Sequence, residues 1–378
     1  MKTPTVRGLS RRTLLGAAAS TASLAVASPF VARRARAQSG QVNIFAWAGY
    51  ISDEMLAAFQ SATGITPNFT PYGTNDEALN QLRANNGSGF DIVWPTVDRV
   101  PNYVEFGLVQ PLDESKVEWD RVIASAVSGS AEMGAVVDGT RYQVPMDWGT
   151  EALSFDREQA PLTYGEASYG DMLNPEFEGM VTARGHSLLA SIGIWLESQG
   201  RLPHPMRESF TDEAKMVANY DVILAEAVKA KANFAQFWSN ENEAQGAFRV
   251  NGCVIGQTWD STAAGLAREG LPIGYIAPKE GALAWMEGVC IPSGAANIDE
   301  AYAFINWMLT PEAGAMYANL TSINSTAVGA DALLSDEAKQ FFADAYPGDA
   351  LDKLWWWPIQ PAWFVAKRTE YADRFMAA

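Results

Sequence analysis

The sequence is short of the residues on which most hydrolases and metalloproteins depend. Its 378 residues include only two histidines, His186 and His204, and two cysteines, Cys253 and Cys290. Neither an H-E-x-x-H pair nor a Cys/His zinc cluster can be assembled from so few. The glycine-rich loops that hold phosphates are absent, and Ser187 lacks the closing glycine of a nucleophile elbow. We therefore expect no enzymatic activity and no metal or organic cofactor.

Two cysteines are also too few for a disulfide framework. Each lies in an apolar run, Cys253-Val254-Ile255 and Val289-Cys290-Ile291, where small buried thiols are ordinary. We predict free core cysteines, with a single bridge between the two as the alternative.

Long apolar runs are missing except near the N-terminus. Basic residues come first there, an uncharged stretch covers 14–31, and Ala35-Arg36-Ala37 follows, which is the order of a secretory signal. Within it Ser10-Arg11-Arg12-Thr13-Leu14-Leu15 resembles the twin-arginine export motif. A membrane anchor is the alternative, but Ser20, Thr21 and Pro29 make the stretch only mildly apolar. We predict cleavage after Ala37 and a periplasmic mature protein.

Positive charge is scarce in the remainder. The formal net charge of −17 becomes −24 after cleavage, because the signal holds seven basic and no acidic residues. Such a surface repels nucleic acid and anionic lipid and attracts cationic solutes. We expect no nucleic-acid partner.

Strand-like and helix-like segments alternate along the mature chain. Strands are predicted over 42–46, 65–69 and 91–94, with helices between Ser52 and Gly64 and over 75–84. Later segments, each with its own boundary signals, are strands 143–146, 179–182 and 252–258, a helix capped by Thr211, and a helix over 301–309 stopped by Pro311. This alternation predicts an open α/β protein, which binds ligands at the carboxyl ends of its strands.

Aromatic residues recur at those strand ends, with acidic residues beside them. The aromatic residues are Trp47, Tyr50, Trp94, Trp148, Trp259 and Trp285, and the acidic ones are Asp98, Asp147, Asp260 and Glu287. Aromatic faces attract organic cations, and carboxylates accept their N–H bonds. Core packing of the tryptophans and solvation of the acids is the alternative, but the recurrence favours a site for an organic cation.

Several segments, in order, resemble the periplasmic spermidine/putrescine-binding proteins of ABC importers. They are Phe45–Ile51, Gly89–Thr96, Gly107–Asp113, Val144–Thr150, Pro278–Gly281 and Ala303–Leu309, and they extend over nearly the whole mature chain. The resemblance implies a monomer with the type II binding-protein fold, in which two α/β lobes close on the ligand and dock on a membrane permease. It places the export signal at 1–37, lobe one at 38–147 and 287–325, and lobe two at 148–286 and 326–378.

The same resemblance implies an aromatic box with carboxylates at its ends. By position it includes Trp47, Tyr50, Thr96, Ser239, Trp259, Trp285 and Glu287, with Glu287 replacing an aspartate as the main acceptor for the amine. The acidic residues expected after strand 179–182 are missing, and the stretch there reads Gly185-His186-Ser187. We therefore add Asp98 and Asp260 to the ligand-binding residues, as acids redistributed within the box.

The resemblance predicts a polyamine such as putrescine or spermidine as the ligand. The alternative on the same scaffold is a smaller or zwitterionic amine, for example an ω-amino acid whose carboxylate meets Arg184 or His186. His186 could equally be a surface-loop histidine. A secreted hydrolase and a purely structural envelope protein are minor alternatives.

Overall fold

A computed structural model describes residues 40–378; the predicted export signal lies outside them. The strands are β1 (Gln41–Trp47), β2 (Thr66–Tyr72), β3 (Ile92–Val93), β4 (Val136–Val137), β5 (Thr140–Arg141), β6 (Gln143–Asp156), β7 (Val181–Ala183), β8 (Phe234–Phe237), β9 (Ile255–Trp259), β10 (Ile273–Ile276), β11 (Leu283–Cys290), β12 (Asn324–Ser325) and β13 (Trp355–Trp356). The helices are α1 (Asp53–Thr63), α2 (Asn75–Ala84), α3 (Val100–Glu105), α4 (Ala124–Ser130), α5 (Gly185–Ser198), α6 (Glu213–Lys229), α7 (Glu241–Arg249), α8 (Asp260–Arg268), α9 (Ile298–Met308), α10 (Pro311–Thr321), α11 (Asp336–Ala345) and α12 (Ala362–Ala377).

One large sheet organises these elements, and its main path runs β2-β1-β3-β11-β6-β9-β7-β8. At one end β1 pairs in parallel with β2 and β3, and at the other β7 pairs in parallel with β8 and β9. Helices alternate with strands in both parts, as the sequence predicts. Antiparallel β6 and β11 lie between the two parallel parts and join them.

Strand β6 is longer than predicted, since it continues past Met146 to Asp156. Its first residue, Gln143, pairs with Cys290 of β11, which in turn pairs with β3. Glu151–Phe155 pair with β9. Its backbone groups therefore find partners along both parts of the sheet. The ladder with β11 is interrupted between Glu287 and Gly288. The two long strands thus connect the halves of the sheet, and the ladder between them carries one irregularity.

The helices of the first part begin and end where their sequence signals predict. The Ser52 hydroxyl accepts a hydrogen bond from the Met55 amide at 3.2 Å, and Gly64 closes α1 with a φ of 77°. Helix α2 has the predicted bounds and Thr74 as its cap. The capping positions therefore fix the direction of the chain as it leaves β1 and β2.

Two later boundaries differ from the prediction. Asp212, not Thr211, caps α6, because its carboxylate accepts bonds from the amides of Ala214 and Lys215. Pro311 does not simply follow a helix; it is the first residue of α10, a position where its missing N–H costs nothing.

The hydrophobic core extends through both parts of the sheet. Cys253 and Cys290 are buried and unbridged, which confirms the prediction of free core thiols. The C-terminal helix α12 packs on α5 and α6. Within residues 40–378, helices of the length and hydropathy required to cross a bilayer are absent.

Candidate ligand-binding site

A cavity of about 1130 Å³ lies between the two parts of the sheet. Its walls come from the segments that follow β1, β2, β3, β7, β8 and β9, from the middle of β11 and from α12. Most of these segments leave the carboxyl ends of parallel strands, which is where α/β sheets place ligands. Most of the predicted ligand-binding residues line it together: Trp47, Tyr50, Thr96, Asp98, Ser239, Trp259, Trp285 and Glu287.

An acidic pair, Asp147 and Glu287, lies in the ladder between β6 and β11, next to the irregularity. The two residues are cross-strand partners and are 0% and 3% exposed. Burial, and then the charge of Asp147, raise the pKa of Glu287 well above its ordinary value. Burial likewise raises the pKa of Asp147. One oxygen of each carboxyl group, Asp147 Oδ1 and Glu287 Oε2, has no hydrogen-bond partner in the described structure. The pair therefore has two buried acceptors that no donor of residues 40–378 satisfies.

Aromatic rings hold this acidic pair from the first part of the sheet. The Trp94 indole N–H donates to Asp147 Oδ2 at 2.9 Å. Trp94 stacks on Tyr317, and Tyr50 meets the edge or face of both rings at centroid distances of 5.9 and 5.5 Å. Trp47 packs beside Tyr50 at 6.3 Å. These contacts fix the carboxyl groups against an apolar wall that excludes water, where a charge is felt most strongly.

Thr96 supports the same place from the turn after β3. Its hydroxyl accepts a hydrogen bond from the Asn75 side-chain amide at 2.9 Å, and its backbone amide donates to Asn75 at 3.2 Å. Its backbone also pairs with Glu287 in an isolated antiparallel bridge. Thr96 therefore positions the acidic strand as well as lining the cavity.

The second part of the sheet supplies a tryptophan pair with an ion pair beside it. Trp238 and Trp259 meet edge to face at 4.6 Å. The Trp259 indole N–H donates to Glu151 Oε1 at 3.0 Å, and Arg184 Nη1 forms an ion pair with the same oxygen at 3.3 Å. The Arg184 guanidinium also lies 5.2 Å from the Trp259 ring centroid. This wall of the cavity therefore carries a positive side chain, Arg184, and a negative one, Glu151.

Two predicted residues stand apart from the others. Asp260 does not line the cavity: its carboxylate accepts bonds from the Thr150 amide and the Tyr346 hydroxyl, at 3.1 and 2.9 Å. Ser239 does line the cavity, but its amide and hydroxyl both donate to Glu243 Oε2 at 2.7 Å. Asp260 is thus occupied inside the protein, and Ser239 is already hydrogen-bonded at the surface.

Several cavity residues were not among the predicted ligand-binding residues. Glu151, Arg99 and Arg368 line the cavity, as do Arg184 and His186, which the sequence suggested only as partners for a carboxylate. His186 lies in the first turn of α5, so it is not a surface-loop residue. Burial and three nearby arginines lower its pKa, which keeps the ring neutral. Clusters of His, Cys, Asp and Glu able to hold a metal ion are absent from residues 40–378.

Comparisons with known proteins give a family, relatives and a fold. The family model of the bacterial extracellular solute-binding proteins matches residues 54–343. The chain is 26% identical to the putrescine-binding periplasmic protein PotF of Escherichia coli, over 86% of this chain and 88% of PotF. It is 26% identical to the putrescine-binding periplasmic protein SpuD of Pseudomonas aeruginosa, over 88% of this chain and 91% of SpuD. A crystal structure of the spermidine/putrescine transporter substrate-binding protein PotD of Streptococcus pneumoniae superimposes with a TM-score of 0.72 at 21% identity, over 90% of this chain and 99% of that one.

Proposed function

The chain belongs to the bacterial extracellular solute-binding proteins, and we propose that it is the binding subunit of an ABC importer that captures a small aliphatic amine, such as a polyamine. The observation that carries this proposal is the acidic pair, Asp147 and Glu287, buried beside aromatic rings with one oxygen on each carboxyl group that no donor in residues 40–378 satisfies. The amine ligands of the relatives PotF and SpuD support it.

The fold predicted from the sequence is confirmed by the superposition with PotD. It is the two-lobed binding-protein fold, with one parallel part of the sheet and its flanking helices in each lobe and the ligand cleft between them. Such a scaffold binds a solute and does not transform it, so we propose capture without chemical turnover. The relatives PotF and SpuD are periplasmic proteins, and we propose the same compartment for this protein after cleavage of the predicted export signal.

We propose that the ligand's ammonium group binds at Glu287. A buried ammonium must be paired, because its desolvation costs several kcal/mol otherwise. Glu287 lines the cavity and Asp147 is its cross-strand partner, so the pair offers more negative charge than one carboxylate. Trp47, Tyr50 and Trp285 surround the approach and suit the methylenes next to the charge. Trp259 closes the cavity from the other lobe.

We propose that the lobes move about the irregularity in the ladder between β6 and β11. The predicted lobe boundaries near 147 and 287 fall at this irregularity. Two contacts support the assignment of the C-terminal segment after 326 to lobe two: β13 pairs with Leu283 and Ala284, and α12 packs on α5 and α6. Closing would bring Trp259 towards Glu287, and the closed monomer would then dock on the permease.

Calorimetric titration of the chain from residue 38 onwards tests this function. Putrescine and spermidine are expected to bind with affinities in the micromolar range or tighter, about −8 kcal/mol or below, and glucose is expected not to bind. Binding of glucose alone would contradict the proposal.

A further inference from the structure

A buried cation without a partner lies in the same cavity. Arg368, on α12, lines the cavity and is 8% exposed. It forms neither an ion pair nor a side-chain hydrogen bond with any residue in 40–378, and its Nε is fully enclosed without an acceptor. Burying an unpaired guanidinium costs free energy that the fold alone does not recover. A ligand group can supply the missing negative charge.

Two further arginines line the cavity near Arg368, and both already have partners. Arg99 Nη2 lies 2.6 Å from Asp76 Oδ1, and Arg184 Nη1 lies 3.3 Å from Glu151 Oε1. We call Arg99, Arg184 and Arg368 the arginine cluster. Burial, and then the charges of Arg99 and Arg184, lower the pKa of Arg368 to about 10, where it is still protonated at neutral pH. Within residues 40–378, Arg368 is therefore the member of the arginine cluster that has no ion-pair partner.

The remaining titratable groups that face Arg368 do not neutralise it directly. His186 is neutral, because burial and the cluster lower its pKa. Asp76 is committed to Arg99. Asp98 is 4% exposed and also lines the cavity, but it forms no ion pair with Arg368, and burial raises its pKa. Asp98 is the one acid near enough to compete with a ligand for Arg368, so the experiment has to separate the two roles.

We propose that Arg368 is a binding site for the carboxylate of the ligand, so that the preferred ligand is an amine that also carries a carboxylate, such as an ω-amino acid. A guanidinium offers two parallel N–H donors, which match the two oxygens of a carboxylate. The inference rests on the proposed function, because Glu287 is to hold the ammonium of the same molecule. A diamine would satisfy Glu287 but leave its second ammonium among the arginines.

The test compares two ligands of similar length on three proteins. γ-Aminobutyrate and putrescine share an ammonium and differ at the other end. The proteins are the wild type, Arg368→Met and the control Arg374→Met; Arg374 is on the same helix but 47% exposed and outside the cavity. Methionine fills much of the arginine volume and removes the unpaired charge, so this variant is expected to fold.

The wild type is expected to bind γ-aminobutyrate more tightly than putrescine. Arg368→Met should weaken γ-aminobutyrate binding by about tenfold or more and leave putrescine binding equal or tighter. Arg374→Met should match the wild type for both. Arg368→Lys keeps the charge without the paired donors, so it should lose part of the γ-aminobutyrate affinity; it serves as the test if the methionine variant does not fold.

Three results would overturn the inference. If putrescine binds and γ-aminobutyrate does not, the proposed amine function survives and the carboxylate site is wrong. If Arg368→Met lowers the melting temperature and changes neither affinity, Arg368 is only the counter-charge of Asp98. If the wild type binds neither amine, the proposed function itself fails and this inference with it.

Discussion

Asp147 and Glu287 face each other as cross-strand partners on β6 and β11, and both are almost completely buried. Such partners place their side chains on the same face of the sheet. Two carboxyl groups that share a buried place cannot both ionise easily, and burial raises the pKa of each. We therefore expect the pair to retain a proton in the empty protein, and an arriving ammonium to replace it. This exchange links ligand binding to pH.

Amine binding should release protons near neutral pH. The ligand's own ammonium has a pKa near that of lysine, about 10.4, so it does not titrate in this range. Titration in two buffers that differ in ionisation enthalpy should give different observed enthalpies, and affinity should fall as the pH is lowered from 8 to 5. An enthalpy independent of the buffer, with an affinity independent of pH, would show that the pair is ionised before the ligand arrives.

Glu287→Gln should stabilise the empty protein. A carboxyl group whose pKa is raised by folding contributes stability at low pH that is lost as the pH rises through the folded value. Glutamine does not titrate, so the gain in melting temperature over the wild type should be larger at pH 8 than at pH 5. Exposed Glu312 on α10 provides the matched control, and Glu312→Gln should show no such trend. A gain that does not depend on pH would mean that Glu287 is ordinarily ionised.

Gly149→Ala should weaken amine binding through Trp285. A Cβ at Gly149 would collide with the Trp285 ring and come within 2.9 Å of Asp260 Oδ2. The ring has to shift from its place in the cavity wall, so its contact with the ligand should be impaired and affinity should fall by about fivefold or more, which corresponds to about 1 kcal/mol of binding free energy. Gly246→Ala in α7 has open space around it and should leave binding unchanged. Tryptophan fluorescence and calorimetry measure the two effects; equal affinities for both variants would show that Trp285 does not contact the ligand.

Asp260→Asn should leave amine affinity within about threefold of the wild type. The Asp260 carboxylate is hydrogen-bonded to Thr150 and Tyr346 and does not reach the cavity. Asparagine preserves the shape and one acceptor oxygen while removing the charge. A loss of about tenfold or more would return Asp260 to the ligand-binding residues that the sequence suggested.

Local sequence signals were sufficient for the parts of the site that lie at strand ends. Trp47 and Trp259 were found because they follow or end apolar strand-like runs, and Glu287 was found through the family resemblance. The structure places all three on the cavity. Asp260 satisfied the same rule but lies off the cavity, because it begins α8 and its carboxylate accepts hydrogen bonds from Thr150 and Tyr346 inside the protein. The position of a residue directly after a strand therefore does not tell whether its side chain lines the cavity or turns into the protein.

Arg368 could not be found from the sequence. It lies on α12, more than a hundred residues beyond β9, in a helix whose pattern shows only which residues are buried. It reaches the cavity because α12 packs on α5 and α6, a long-range arrangement without a local signal. The length of β6 was missed for a similar reason, since its second half is a strand only because β9 and β11 lie beside it.

The central claim is that Glu287 receives the ammonium of the ligand. Putrescine titrated into the wild type and into Glu287→Gln, with Glu312→Gln as the control, tests it directly by calorimetry. We predict that Glu287→Gln weakens binding by well over about tenfold, because a desolvated ammonium would lose its paired charge, and that the control matches the wild type. An unchanged affinity in Glu287→Gln would contradict the account.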